Sequence, residues 1–176
     1  MFPHELPGFR QGWRYVTGPD HDIAFGLVPS IEPAIFDVAL LADTQPQTEL
    51  ELYFLRDTVL DEVARSGAAF AINHGDVVFD DLSLYDRNLR LVAGTGMPWH
   101  HCPGNHDMNG IGDGTVDRFD IWKRKIGPTC FAFEFGQCTF IVLNNVAPLA
   151  EGQLTSTGYN YRGCVGHDQL DFVRSL

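Results

Sequence analysis

The sequence predicts an α/β fold in which parallel strands alternate with helices and a β-hairpin follows. Three observations predict it. Apolar runs ending at Asp43, at Gly75-Asp76 and at Asn105-His106-Asp107 are separated by two segments of helical period. The spacings from Asp43 to Asp76 (33 residues) and from Asp76 to Asn105 (29 residues) each match one strand-helix-strand unit. A Phe-rich pair of runs, CFAFEF and CTFIVLNN, then meets at Gly136-Gln137, as hairpin strands do.

The elements follow in order. Residues 1–34 are rich in Pro, Gly and aromatics without a sustained period, and predict an extended arm with one short strand over Ile23 to Leu27. Residues 35–176 form the main domain. AIFDVALLADTQPQ gives a first strand ending at Asp43. TELELYFLRDTVLDEVARSG gives a helix with Leu52, Leu55, Val59 and Val63 facing inward and Gly67 as its stop. AAFAINHGDVVFDD gives a second strand, and LSLYDRNLRLVAGTG a second helix with Leu84, Leu89 and Val92 inward. MPWHHCPGNHD gives the third strand, DGTVDRFDIWKRKIG a short helix, TSTGYNYRGCVG a loop, and HDQLDFVRSL the start of a last helix. Strands alternating with helices imply right-handed crossovers, which place all three polar motifs at one edge of the sheet. Ligands bind at that edge in open α/β sheets.

Composition narrows the function. The 176 residues are 44% hydrophobic and 20% charged, with 13 Phe, which suits one packed domain. A formal net charge of −11, from 23 acidic and 12 basic residues, argues against non-specific nucleic-acid binding. No apolar run is long enough for a membrane span, no signal peptide is visible, and the compartment is left open. Cys102, Cys130, Cys138 and Cys164 lack zinc-knuckle spacing, and Cys102 reads as a buried free thiol.

The strand ends carry the chemistry. Asp43 with Gln45, Asp76 behind Gly75, and Asn105 beside His106 would bring hard oxygen donors together, suited to Mg, Mn or Fe. Gly75 would let the backbone turn sharply, and His106 would face a substrate and exchange a proton.

"GD" at 75–76 followed by "GNHD" at 104–107, with an aspartate motif upstream, resembles the calcineurin-like metallophosphoesterases from about residue 34 onward. The resemblance implies a partial four-layer α/β/β/α sandwich, two divalent metal ions (Mn, Fe, Mg or Zn) and a phosphoester substrate, either monoester or diester. It implies that Asp43 ligates the first metal, Asp76 bridges both and Asn105 ligates the second. His106 is then the proton donor to the leaving group, with Asp107 holding it by a hydrogen bond.

Two departures from the family pattern carry expectations of their own. Gln45 stands where the family usually has His, and an amide oxygen in its place still suits a hard cation. The family's later Gly-His and Gly-His-x-His motifs do not occur in these residues, so the domain is expected to be truncated at its C-terminus. Gly166-His167 falls at a helix start and is not counted as a ligand. His4, His21, His100 and His101 read as packed or surface histidines, with His74 the best outside candidate for support of the site. Asp80, Asp81, Asp113 and Asp117 read as solvated acids, of which Asp80 is placed to orient the second motif. Tyr85 and Phe79 read as packing residues. The alternative to an enzyme is a non-catalytic module of the same fold, lacking the closing histidines, that binds a partner or a phosphorylated ligand.

Overall fold

The computed structural model describes residues 32–109, 117–150, 153–156, 158 and 160–176. The strand expected over Ile23 to Leu27, together with His4, His21 and Asp113, lies outside them. The first strand, β1 (Val38–Leu41), leads through the 42–47 loop to α1 (Glu49–Leu55). Thr48 caps α1 by accepting the Glu51 N–H at 3.3 Å, and the Glu51 carboxylate accepts the Gln47 N–H at 2.6 Å. The helix runs on through a π-helical turn, Arg56–Leu60, into α2 (Asp61–Arg65).

That π turn corrects one expectation. It inserts an extra residue into the helical path, so Leu60 rather than Val59 reaches the core. Leu60 is 3% exposed and Val59 38%. Leu52, Leu55 and Val63 are buried as expected. Strand β2 (Phe70–Asn73), helix α3 (Tyr85–Ala93, preceded by a 3₁₀ turn at Leu82–Leu84) and strand β3 (Trp99–His101) complete the alternating part. Leu84, Leu89 and Val92 are all buried.

The three strands form a parallel sheet in the order β1-β2-β3, with Leu40 opposite Ile72 and Ile72 opposite His100. Alternation sends Ala39, Leu41, Ala71 and Trp99 to one face, where they pack with Leu55, Leu60, Val63, Val92 and Met97 from the helical side. Burying each of these larger side chains contributes ~1.5–3 kcal/mol.

Phe70, Ile72 and His100 point to the other face, which meets the hairpin of β4 (Phe131–Phe135) and β5 (Cys138–Val142). Aromatic rings fill that interface. Phe133 of β4 stacks on His100 at 3.7 Å and meets Phe70 edge-on at 5.5 Å. Phe140 of β5 meets Phe70 at 5.1 Å and Phe36 at 6.3 Å. Helices, parallel sheet and antiparallel hairpin thus lie in successive layers, a mixed α/β sandwich. Helix α4 (Asp120–Lys125) and helix α5 (His167–Ser175) fall where expected.

Residues 155–166, expected as loop, contain a further short strand. β7 (Tyr161–Gly163) pairs antiparallel with β6 (Val146–Pro148). A three-residue strand ending in proline presents too few alternating positions to stand out in sequence. Beyond the strand ends, the connecting loops bury a second core of Val77, Val78, Tyr85, Met108, Phe119 and Trp122 with Leu52 and Leu89.

Candidate active site at the strand ends

The three polar motifs come together beyond the carboxyl ends of β1, β2 and β3. Backbone bonds fix the first motif to the second: the Asp43 N–H donates to the Gly75 carbonyl at 3.2 Å and the Gln45 N–H to the Asp76 carbonyl at 3.1 Å. The Gln45 side-chain amide donates to Asp76 Oδ2 at 2.7 Å and to Asp43 Oδ1 at 3.3 Å. One amide therefore spans two carboxylates from different strands.

The third motif closes on the second from the other side. The His106 N–H donates to Asp76 Oδ1 at 3.0 Å. Gly104 sits so close that an added Cβ would lie 2.0 Å from Asp76 Oδ1, and a Cβ on Gly75 would lie 3.0 Å from the Gly104 backbone. Both positions need glycine for this approach. Asp76 is buried, Asp43 is exposed, and Gln45, Asn105 and His106 lie between.

Backbone strain marks the same place. Asp43, Gln45 and Asp76 have φ of 52°, 38° and 51°, and among the described residues no other non-glycine residue is left-handed. Such conformations cost of order 1–3 kcal/mol each and collect at functional sites. Here they turn three polar side chains toward one another.

His106 has its own setting. Its Nδ1 lies 2.8 Å from Asp80 Oδ1, and its ring stacks on Phe79 at 4.1 Å. The Asp80 carboxylate accepts, so Nδ1 carries the hydrogen. Asp107, expected to hold His106, bonds elsewhere. Its fully buried carboxylate accepts the Val77 N–H at 3.1 Å, the Gly104 N–H at 2.8 Å and the Tyr85 hydroxyl at 2.8 Å. Burial pushes the Asp107 carboxyl up to about 6, against the three hydrogen bonds that favour its charged form. The Tyr85 phenol is raised far above its ordinary value by burial and by the facing Asp107 charge.

The remaining expectations divide. His100 and His101 are strand residues, and burial against the aromatic layer lowers the His100 imidazole to about 4. His167 opens α5, and His74 is exposed. All four cysteines are free, with the Cys102 thiol pushed up to about 11 by burial. The residues undervalued in sequence are Asp80 and Phe79. The signal for Asp80 was its place four residues after Asp76 in "GDVVFDD".

The donor set suits a hard cation in kind, since two carboxylates and an amide already converge on one point. Among the described residues, no three His, Cys, Asp or Glu side chains form a group able to hold a metal ion. A cation here would therefore take amide oxygens as well as carboxylates, with Gln45 turning Oε1 toward it.

No protein-family model matches the chain, and no curated protein does. Solved structures similar to it include a purple acid phosphatase from yellow lupin (Lupinus luteus) seeds, 11% identical with a TM-score of 0.49 over 81% of this chain and 28% of that one. Another is a dimetal phosphatase from Danio rerio, 17% identical with a TM-score of 0.47 over 78% of this chain and 63% of that one. The chain thus matches less than two thirds of the length of either. Among the described residues no helix is long and apolar enough to cross a membrane.

Proposed function

We infer that the chain carries the metal-binding and proton-donating part of a phosphoester hydrolase. The observation that carries the reading is the convergence on Asp76, where Gln45 holds one carboxylate oxygen and the His106 backbone the other. It agrees with the motif resemblance in the sequence.

Asp43, Gln45, Asp76 and Asn105 would hold two divalent cations, with Asp76 central. Bound there, the cations would polarise the phosphoryl oxygens and activate the attacking water. The chain's own residues do the rest. His106 gives a proton from Nε2 to the ester oxygen as the P–O bond breaks, while water supplies the new P–O bond. Asp80 keeps Nδ1 occupied and Phe79 covers one face of the ring, so the imidazole is aimed rather than free to rotate. Asp107 ties the second and third motifs to one another.

The test is hydrolysis of an aryl phosphate monoester and diester with Mn²⁺. Asp76→Asn is expected to abolish turnover, and His106→Asn to lower kcat about 10²–10⁴-fold. Turnover unchanged in Asp76→Asn would overturn the reading.

A further inference from the structure

Asp43 and Gln45 are both left-handed, whereas Thr44 between them is not. A β-branched residue resists that conformation, so Thr44 keeps an ordinary backbone while its neighbours carry the strain. Its side chain supplies a tie that the backbone bonds to Gly75 and Asp76 do not. The Thr44 hydroxyl donates to the Val77 carbonyl at 3.2 Å and accepts the Asn73 side-chain amide at 3.2 Å.

Both partners of that hydroxyl are anchored. Val77 is fully buried, its N–H donates to the Asp107 carboxylate at 3.1 Å, and its carbonyl also accepts the Asn88 amide at 3.4 Å. Asn73 is buried and ends β2, directly beside Leu41 at the end of β1. The hydroxyl thus lies between the end of one strand and the residue that follows Asp76. Asn73 also carries a cost that fits this role. Its Oδ1 is buried with no hydrogen-bond partner among the described residues, so half of the amide works against stability while the other half serves the turn.

We propose that Thr44 is a positioning residue whose hydroxyl holds the left-handed turn, so that Asp43 and Gln45 face Asp76 before any cation binds. Without that tie the strained residues relax toward ordinary backbone angles. The Gln45 amide then leaves Asp76 Oδ2 and Asp43 Oδ1, and the two carboxylates lose the partner they share. The effect on cation binding rests on the functional reading above, and the effect on the turn does not.

Residue-resolved hydrogen exchange on the full chain without added metal reads the turn. Thr44→Val keeps the shape without the hydroxyl, and Thr44→Ser keeps the hydroxyl. The probe is the Gln45 N–H, bonded to the Asp76 carbonyl, and the folding control is the buried Ala71 N–H, bonded to the Pro98 carbonyl at 2.9 Å. Gln45 is expected to exchange at least about tenfold faster in Thr44→Val than in the parent, with Thr44→Ser close to the parent and Ala71 unchanged. Equal Gln45 exchange in the parent and Thr44→Val, or a loss in Thr44→Ser as great as in Thr44→Val, would overturn the proposal. Should Ala71 also lose protection in Thr44→Val, Thr44→Ala takes its place under the same criterion. Equilibrium dialysis against Mn²⁺ reads the consequence, expected as binding about tenfold weaker in Thr44→Val and recovered in Thr44→Ser. Faster Gln45 exchange with unchanged Mn²⁺ affinity would overturn the positioning role. A parent that binds no Mn²⁺ would instead overturn the functional reading, and the exchange result alone then decides what holds the turn.

Discussion

Two aspartates near His106 divide its support between orientation and anchorage. Asp80 touches the imidazole itself, and Asp107 touches the two loops that carry it. Their amide variants should therefore fail differently. Asp80→Asn is expected to lower kcat about 10–100-fold with KM and stability little changed, measured on an aryl phosphate and by urea denaturation. Asp107→Asn puts an NH₂ group among three donors inside the core, and is expected to cost about 2–4 kcal/mol in the same denaturation experiment. The motif "NHD" shows that three polar residues share a loop, but it does not show which neighbour each side chain meets. That depended on Asp80, 26 residues upstream.

His100 supplies a pH prediction at the same scale. Burial holds its imidazole near 4, below the ordinary 6.5. The unfolded chain thus binds a proton between these values that the folded chain does not. By linkage the contribution is present above pH 6.5 and lost as pH falls toward 4. Between pH 7 and pH 4 the loss approaches about 3 kcal/mol. His100→Phe, in place among Phe70 and Phe133, is expected to remove this part of the acid sensitivity. Urea midpoints at the two pH values check it, and an unchanged pH dependence in the variant would count against a half-buried neutral His100.

Among the elements, the helix after β1 separates what a period reveals from what packing decides. Helical spacing found its length and its stop at Gly67, but a uniform 3.6-residue period cannot anticipate the π turn at Arg56–Leu60. Thr58 bonds back to the Phe54 carbonyl at 2.6 Å there. Leu60→Ala is expected to cost about 2–4 kcal/mol and Val59→Ala less than about 1 kcal/mol, read from urea denaturation. Equal costs would mean a regular helix in solution. The strands β1, β2, β3, β4 and β5 were legible because each is an apolar run bounded by turn residues. β6 and β7 were not, because three residues with Pro148 or Gly163 at an end carry no readable alternation.

At the scale of the whole molecule, sheet topology turns three distant motifs into one site. Parallel order β1-β2-β3 puts the ends of all three strands on one edge, and the second core beneath Val77, Tyr85 and Trp122 holds the loops that leave it. The alternation of strands and helices made that edge foreseeable. The left-handed backbone at Asp43, Gln45 and Asp76 was not foreseeable, because these residue types only permit such a conformation and the surrounding loops impose it.

The central claim is that this edge holds divalent cations through Asp76. It is tested most directly by equilibrium dialysis of the chain and of Asp76→Asn against Mn²⁺, counting metal per chain by elemental mass spectrometry. The account predicts saturable binding to the parent chain that Asp76→Asn removes. No binding to the parent, or equal binding to both, would contradict it.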